Sequence, residues 1–474
     1  MWNKTPRASV TTQLYERFLI TGEAIMRKVF LYLIVLSVAA VLPFAQISSA
    51  ADTNVRHTVI AATGDEAPSG GNYLSFSFSN ARLNESHQVA FDAVIGGPSF
   101  GTGVFVGDGT RTSTIAFGPD SITNPFITPS GNVVFDVNGN EVLSSDGKST
   151  VPVMRDGDAA PGGGTLTPAG GRATNDHGVI AGAAFVNGST ATQGVFRTDG
   201  KQTVTIARDD ISAPAGGNFT LFGAPVINNR GEVAFFSELT GGFGIFRGDG
   251  EVLTPVFVTN QIAPGGATFA DFGEPTINNH GQVVASASLI NSTINSGLFV
   301  GDGTNAIAIA LQQEAAPKGG NYNGQFFGHT KLSDRGEVAF NARLTGGTST
   351  SGMFRGDGQN TTTIALQGAN APGTAGTFAS FRDYQLLNNG RIAFVATLTP
   401  GVGGVNASNN MGIWIGTSDQ DLQLVVRTGD VIGGRVLTRL PDVGHGNLFD
   451  MDENGVLWVG TFGPAKAIVY SRVV

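Results

Sequence analysis

The chain has 474 residues, 68 glycines, 14% charged residues and no cysteine. The absence of cysteine excludes a disulfide framework, a thiolate metal site and a thiol nucleophile. The formal net charge of −9, with no Lys/Arg cluster in the body, excludes an electrostatic surface for nucleic acid. A Gly- and Phe-rich chain of this length is typical of many short strands joined by tight turns.

The N-terminal segment predicts export. Residues 26–51 begin with Arg27 and Lys28, continue as an apolar run and end in small residues before Ala51, which is the pattern of a cleaved signal peptide. A membrane anchor is the alternative, but the apolar run is short for a bilayer span. We expect residues 1–25 to be an upstream extension. The mature protein should then be periplasmic, extracellular or surface-associated, with no membrane span.

The body from residue 57 onwards is a tandem repeat, the feature to look for first. A polar Asn-x-x-Gly turn followed by an apolar strand recurs, and its Gly position falls at residues 87, 131, 178, 231, 281, 336, 390 and 455. Each unit continues with a short strand ending in Gly-Asp-Gly, then a strand such as TTTIAL, then a linker such as GDEAPSGG. No helix-period pattern follows residue 51.

Four short antiparallel strands in about 50 residues predict a propeller blade. The second strand is apolar on both sides, with Val233 and Phe235 facing one way and Ala234 the other, as a sheet packed between two neighbours requires. An open solenoid is the alternative, but it would need capping repeats that the sequence lacks. We predict one all-β domain over 57–474, a β-propeller of eight blades. Seven is the alternative count, because the unit at about 119–155 is short and degenerate.

The two ends of the body predict how the ring closes. The first strand, TVIAAT at 58–63, resembles an outer strand but precedes the first unit, whereas the last unit has only three strands. Pairing of residues 58–63 with residues 467–473 would complete the last blade. It would also remove a free strand edge, which is an aggregation hazard.

The repeat resembles that of the bacterial exported NxxGxxxAF tandem-repeat (choice-of-anchor) proteins. Four units keep the Ala-Phe pair, and their Phe residues are expected to be buried between blades: Phe91, Phe235, Phe340 and Phe394. Other units depart from the pattern, with Thr128, Ser333 and Asp452 at the Asn position, His87 at the Gly position and Leu387 in a shifted turn. The resemblance implies export and a repeat fold, and it implies no known activity.

No catalytic, cofactor or metal motif is present in the sequence. His177 and His280 occupy the third position of the Asn-x-x-Gly turn, which predicts solvated turn residues. The Gly-Asp-Gly turns allow a calcium site or a two-residue hairpin turn, and one carboxylate per turn favours the hairpin. We therefore predict no cofactor and no metal.

The linkers between units carry the candidate binding residues. Their carboxylates stand three residues before the Pro or its equivalent: Asp65, Asp158, Glu314 and Asp430. They either cap their own turns or form an acidic ring at the channel mouth, which would bind a cation or a basic ligand. The loops between second and third strands should lie on the same face and vary most, as binding loops do.

We predict a non-catalytic, monomeric binding scaffold for a protein or glycan ligand. The alternative is an extracellular hydrolase or lyase acting on polysaccharide, with channel carboxylates as acid and base. Convergence of two or more carboxylates within about 5–10 Å of each other in a deep central pocket would favour the alternative.

Overall fold

The computed structural model describes residues 55–77, 80–98, 100–441 and 448–473, apart from the side chains of residues 170, 325 and 327–329. The chain divides into two units, Met1–Leu42 and Pro43–Val474, and all described residues belong to the second. The predicted upstream extension (1–25) and signal peptide (26–51) lie outside the described residues.

The described chain begins with β1 (Val55–Ala62) and continues as groups of strands that each form one antiparallel sheet. Blade 1 contains β2 (Asn72–Phe76), β3 (Arg82–Leu83), β4 (Val89–Gly96), β5 (Gly101–Gly107) and β6 (Thr112–Gly118). Blade 2 contains β7 (Ile122–Ile127), β8 (Val133–Val137), β9 (Glu141–Ser145) and β10 (Thr150–Arg155). Blade 3 contains β11 (Thr165–Thr174), β12 (Ile180–Asn187), β13 (Gln193–Thr198) and β14 (Thr203–Arg208).

The next two blades have an inner strand in two pieces, as blade 1 does. Blade 4 contains β15 (Phe219–Phe222), β16 (Val226–Ile227), β17 (Val233–Leu239), β18 (Gly242–Gly248) and β19 (Leu253–Val258). Blade 5 contains β20 (Thr268–Phe272), β21 (Thr276–Ile277), β22 (Val283–Ile290), β23 (Ser296–Gly301) and β24 (Ala306–Leu311).

The remaining strands complete the ring. Blade 6 contains β25 (Asn321–Leu332), β26 (Val338–Thr345), β27 (Ser351–Gly356) and β28 (Thr361–Leu366). Blade 7 contains β29 (Phe378–Leu386), β30 (Ile392–Leu398), β31 (Met411–Gly416) and β32 (Gln423–Arg427), with a 3-10 turn (Val402–Gly404) after β30. After the small hairpin of β33 (Val431–Ile432) and β34 (Arg435–Val436), blade 8 contains β35 (Phe449–Met451), β36 (Gly455–Phe462) and β37 (Ala465–Val473).

Eight four-stranded blades form the ring, so the fold prediction is confirmed and the eight-blade count holds over seven. Blade 2 is short but complete, with sheet order β10-β9-β8-β7. The ring also overturns the open solenoid, because its first and last strands pair. β1 joins β37 in antiparallel register from Val55–Val473 to Ala62–Ala467 and becomes the outer strand of blade 8.

Side chains at the closing strand reinforce this pairing. His57 Nδ1 lies 2.7 Å from Ser471 Oγ, which also accepts a 2.7 Å hydrogen bond from Trp458 Nε1. Burial lowers the pKa of His57 to about 4. The imidazole is therefore neutral in the folded ring at ordinary pH.

The core lies between blades, as the Ala-Phe pattern predicts. The rings of Phe91, Phe235, Phe340 and Phe394 are at most 1% exposed. In blade 4, Phe235 packs with Val195 of blade 3, while Ala234 packs with residues of blade 5 such as Phe269. The bulky side chain thus faces the preceding blade, and the small one lets the following blade approach.

The Asn of the repeated turn ties neighbouring blades together. Only the Gly of the turn has positive φ, whereas Asn228 is buried and its Oδ1 accepts the N–H groups of Arg230 and Glu232. Its Nδ2 donates to Asn278 O in the next blade at 2.9 Å. The same inter-blade bond recurs from Asn84, Asn175 and Asn278.

The Gly of the turn has positive φ and also lies against an arginine of the preceding blade. Arg247 of the third strand of blade 4 donates to Gly281 O of blade 5 at 2.6 Å. A Cβ on Gly281 would lie 2.3 Å from the Arg247 guanidinium. Glu232 Oε1 lies 3.7 Å from Arg247 Nη1. In blade 5 the residues equivalent to Glu232 and Arg247 are Gln282 and Val300. Blade 6 repeats the ionic pair with Arg355 and Glu337, whereas blade 3 has Arg197 with Val179.

The Gly-Asp-Gly hairpins have a two-residue turn as predicted, but it consists of Gly250 and Glu251, because Asp249 N donates to Val252 O at 3.3 Å. Asp249 does not adopt positive φ; its carboxylate accepts the N–H groups of Glu251 and Val252, at 2.9 and 2.8 Å. These bonds hold the pKa of Asp249 below its usual value. Asp108, Asp302 and Asp357 make the equivalent bonds.

Candidate functional site

The ring has two faces. One carries the Asn-x-x-Gly and Gly-Asp-Gly turns, and we call it the turn face. The other carries the loops between second and third strands and the linkers between blades, and we call it the linker face. The four predicted carboxylates all lie in linkers, and therefore on the linker face.

Each of these carboxylates accepts a hydrogen bond from the end of its own preceding strand. The donors are Ala62 N for Asp65, Arg155 N for Asp158, Leu311 N for Glu314 and Arg427 N for Asp430, at 2.7–3.0 Å. Gln261 makes the same contact in a linker without a carboxylate. The geometry is that of the turn cap considered above, in four separate linkers. A ligand-binding role for these residues stays a prediction.

The rest of each linker also holds the ring. In six linkers the Ala before the Pro position is buried: Ala67, Ala160, Ala213, Ala263, Ala316 and Ala371. The Pro carbonyl can accept a hydrogen bond from the next blade, as Pro161 O does from Thr205 Oγ1 and Pro372 O from Trp414 Nε1. The repeated residues of turns and linkers are thus engaged in folding, and a binding site is to be sought among residues that break the repeat.

One such set lies on the inner strands, two residues before the turn Asn position. These residues occupy equivalent registers, each opposite the Ala position of the Ala-Phe pair: Arg82, Phe126, Ala173, Val226, Thr276, Lys331, Gln385 and Asp450. Blades 6, 7, 8 and 1 supply the charged or amide side chains. Blades 2 to 5 supply Phe, Ala, Val and Thr. At this register the inner strands are therefore polar in one half of the ring and mostly apolar in the other.

The polar half contains a mixed cluster of charges. Asp450 accepts hydrogen bonds from Leu83 N and Met451 N, both at 2.9 Å. Burial raises the pKa of Asp450, and Arg82 and Lys331 oppose that rise. Burial lowers the pKa of Lys331, while Asp383 and Asp450 favour its charged form.

Asp383 completes this cluster in the same manner as Asp450. Its Oδ2 accepts Leu448 N of blade 8 at 2.6 Å, and its Oδ1 accepts Tyr384 N at 2.9 Å. Both oxygens of both carboxylates are therefore engaged by backbone N–H groups. This arrangement links blade 7 to blade 8 and blade 8 to blade 1.

An opening lies beside Arg82, where blade 2 is short. β8 and β9 are joined by residues 138–140, whereas the corresponding loop of blade 7 spans 399–410. A cleft of about 440 Å³ opens there, between blades 1, 2 and 3. We call it the ring cleft. Its polar and aromatic lining includes Asn80, Arg82, Asn124, Phe126, Asp136 and Arg172.

An ion pair between two blades forms one wall of the ring cleft. Arg172 Nε of blade 3 donates to Asp136 Oδ1 of blade 2, and its two other nitrogens donate to Asn124 O and Thr174 Oγ1 at 2.8 and 2.7 Å. Asn124, at φ 53°, donates to Asp136 Oδ2 at 2.8 Å. The guanidinium and carboxylate are about 15% exposed, so they present polar edges to the cleft while remaining fixed.

The opposite wall is fixed by blade 1. Asn80 Nδ2 donates to Asp92 Oδ2 at 3.0 Å, and Arg82 Nη1 donates to Ala81 O at 2.9 Å. Burial raises the pKa of Asp92, and the Asn80 hydrogen bond is the largest influence that lowers it. Asp92 lies behind Asn80 and is 7% exposed, so the cleft presents the amide and guanidinium rather than this carboxylate.

The ring cleft continues toward the turn face. Phe126 and Thr174 line both the ring cleft and a cavity of about 280 Å³ at the turn-face mouth. The residues that follow the turn Asn position border this mouth. The backbone N–H of each donates to the side-chain oxygen of the next one around the ring, in the order Asp176, Asn229, Asn279, Asp334 and Asn388. His177 and His280 are exposed turn residues here, as predicted.

The ring cleft therefore offers fixed donors, fixed acceptors and a half-buried aromatic ring, with its charges already paired. Such a lining suits a neutral ligand rich in hydroxyl groups, because hydroxyls both donate and accept hydrogen bonds. Among the described residues, no group of three or more His, Asp or Glu side chains is arranged to hold a metal ion.

Sequence reasoning missed the ring cleft. The available signal was the position two residues before each turn Asn, where the repeats differ in charge. Aligning the eight units at that position shows a charged or amide residue in four units and Phe, Ala, Val or Thr in the other four, and Arg82 and Phe126 of this set line the ring cleft. The shortness of the unit at about 119–155 indicates a degenerate blade in the sequence, whereas in the structure it leaves room for the ring cleft.

Solved structures similar to the chain include propellers. The Dos1 propeller is 10% identical, with coverage of 87% of this chain and 95% of that one and a TM-score of 0.43. The β-propeller domain of the Trilobed protease from Pyrococcus furiosus, described as having an open velcro topology, is 11% identical, with coverages of 76% and 99% and a TM-score of 0.39. Prolyl oligopeptidase B from Galerina marginata is 8% identical, with coverages of 75% and 50% and a TM-score of 0.44.

No curated protein matched the sequence. Across the part of the chain that the structure describes, no helix has the length and apolar character needed to cross a bilayer. The profile of a family of unknown function, DUF7453, matches residues 47–289 and, in a second overlapping match, residues 123–437. These matches cover most of the chain, which therefore belongs to the DUF7453 family.

Proposed function

We propose that the protein is an exported, non-catalytic scaffold that binds an oligosaccharide in the ring cleft. The observation that carries the proposal is the lining of the cleft. It presents a fixed guanidinium–carboxylate pair, several side-chain amides and the ring of Phe126. Binding pockets of this kind combine a mostly preformed surface with a few well-placed polar groups.

A catalytic role is less well supported by the same geometry. Asp136 is held by Arg172 and Asn124, and Asp92 lies behind Asn80. The two inner-strand carboxylates, Asp383 and Asp450, are engaged by backbone N–H groups. A polysaccharide hydrolase would need one carboxyl to donate a proton to the leaving oxygen and another to act on the sugar or on a water.

Binding is tested with a glycan array probed by the chain lacking residues 1–51. The affinity of any hit is then measured by calorimetry for two mild cleft variants. Asn140→Ala removes an exposed amide from the cleft edge, and Arg172→Lys keeps the charge but loses the forked donor geometry. We expect each to weaken binding about tenfold, since an interaction of about 1.4 kcal/mol corresponds to that factor.

The matched controls are Asn360→Ala, at an exposed hairpin of blade 6, and Arg355→Lys, at the ion pair with Glu337. They should leave glycan affinity unchanged. Absence of any bound glycan, or equal affinities for cleft and control variants, would contradict the proposal. Release of reducing ends from the bound glycan would replace it with the hydrolase alternative.

Export is proposed from the 26–51 segment and from the resemblance of the repeats to exported NxxGxxxAF proteins. Mass spectrometry of the protein made in a bacterial host should find an N-terminus near Ala51 outside the cytoplasm. Recovery of the intact N-terminus in the cytoplasm alone would contradict this part of the proposal.

A further inference from the structure

Exposed apolar side chains are distributed unevenly between the two faces of the ring. Thirteen large hydrophobic residues are strongly exposed among the described residues. Only three of them, Val151, Val252 and Ile307, lie toward the turn-face end of the outer strands. The other ten lie at the linker face: Leu74, Phe100, Phe185, Ile211, Leu221, Ile262, Ile290, Val402, Val431 and Val436.

Five of the ten fall in three consecutive blades, and we call this set the apolar arc: Phe185, Ile211, Leu221, Ile262 and Ile290. Their exposed fractions run from 43% for Leu221 to 78% for Ile262. Clustered exposed apolar residues mark interaction sites, whereas single ones need no explanation.

Backbone pairings connect the members of the apolar arc. Ile262 bridges to Thr268, which pairs in turn with Ile290 across the sheet of blade 5. At the other end, Phe185 pairs with Gln193, whose Nε2 donates to Thr220 O next to Leu221 at 2.8 Å. These contacts join Ile262 to Ile290 in blade 5 and Phe185 to the Leu221 region between blades 3 and 4, all at the linker face.

The charges around the apolar arc are acidic. The linkers and loops of this sector carry Asp209, Asp210, Glu238, Asp271 and Glu314. The cations in the same segments are Arg208 and Lys318, and each is paired, Arg208 with Asp210 and Lys318 with Asp419. The apolar arc, whose bordering carboxylates other than Asp210 have no ion-pair partner in these segments, is complementary to a partner surface that is apolar and has positive charges at its borders.

We propose that the apolar arc is a docking surface for a protein segment in which aliphatic and Lys or Arg side chains alternate. A second copy of the chain fits poorly, because a two-fold contact would bring the same carboxylates together. An anionic membrane surface is disfavoured by the same charges. The arc lies on blades 3 to 5 and is distinct from the ring cleft of blades 1 to 3.

The test uses fluorescein-labelled synthetic peptides and fluorescence anisotropy. The probe alternates Leu and Lys, and two reference peptides alternate Leu with Glu and Ser with Lys. The protein variants are Ile211→Ser with Ile262→Ser in one chain, and Val151→Ser with Val252→Ser as a control on the opposite face. All four residues are exposed, so both double variants should fold.

We expect the Leu/Lys peptide to bind at least tenfold more tightly than either reference. The arc variant should lose at least tenfold in affinity, and the control variant should match the unaltered protein. Equal binding by both double variants would overturn the proposal. Two other results would overturn it as well. The first is that the protein binds vesicles containing phosphatidylserine, and the arc variant loses this binding but still binds the peptide. The second is that the protein sediments as a dimer and the arc variant as a monomer. Glycan binding should be unchanged in the arc variant, which separates this surface from the ring cleft.

Discussion

Replacing Asn228 with Ala tests the role assigned to the repeated turn. Asn228 is 3% exposed, and its side chain makes four hydrogen bonds. Its Nδ2 donates to Asn278 O at 2.9 Å and to Glu232 Oε2 at 2.8 Å, and its Oδ1 accepts Arg230 N and Glu232 N at 3.0 and 2.9 Å. A net value of about 1 kcal/mol for each bond predicts a loss of about 3–5 kcal/mol in the free energy of unfolding.

Asn228→Ser divides this loss into its parts. Ser333 occupies the same position in blade 6, where its Oγ accepts Glu337 N at 3.2 Å. A serine at 228 should therefore keep one turn bond and lose the inter-blade bond, which makes it about 1 kcal/mol less damaging than alanine. Asn360→Ala, at an exposed hairpin, serves as the control.

The assay is urea unfolding followed by the fluorescence of the buried Trp414 and Trp458. Because both tryptophans report from blades 7 and 8, a shift caused by a change in blade 4 also measures cooperativity around the ring. A loss within 0.5 kcal/mol of the control would refute the inter-blade role of the turn Asn, since about that much is expected of an ordinary surface substitution.

Three further predictions concern packing, closure and pH. Phe235→Ala should cost about 3–5 kcal/mol in urea unfolding, because a ring that is fully buried leaves a cavity; a loss below 1 kcal/mol would contradict the packing. Deleting residues 55–62 should lower the melting temperature far more than deleting the surface loop 346–349, and an unchanged melting temperature in a monomer would contradict closure by β1. Unfolded His57 binds a proton below pH 6.5, whereas folded His57 stays neutral to about 4, so stability should fall as the pH drops through that window. The loss is at most about 3 kcal/mol, and His57→Gln should flatten that part of the stability profile; an unaltered profile would contradict the burial argument.

The fold was predictable because every unit repeats the same signals. The Ala-Phe pair predicts that the second strand packs against a neighbouring blade on both of its sides. The surplus strand at 58–63 predicts how the ring closes. The role of the turn Asn was not predictable from one unit, because its partner is a carbonyl about 50 residues away in the next blade. The role of Asp249 in the hairpin was not predictable from its type alone, since it acts through its carboxylate and not through its φ.

The candidate site was much less predictable. Asp65, Asp158, Glu314 and Asp430 attracted attention because they recur, but recurrence in this chain accompanies contacts that hold the ring. The ring cleft depends on residues from three units, such as Arg82, Phe126 and Arg172, that share no motif. Their proximity follows from the short hairpin of blade 2 and from the way neighbouring blades pack. The sequence shows that the hairpin is short, but it does not show how neighbouring blades pack.

The most direct test of the account is hydrogen–deuterium exchange of the protein with and without an oligosaccharide identified on the array. The proposed ring cleft predicts slower exchange on binding in three segments, residues 80–83, 122–127 and 172–174. The linkers that carry Asp65, Asp158, Glu314 and Asp430 should exchange as before. Protection confined to those linkers, or absent from all three cleft segments, would contradict the assignment of the ring cleft as the binding site.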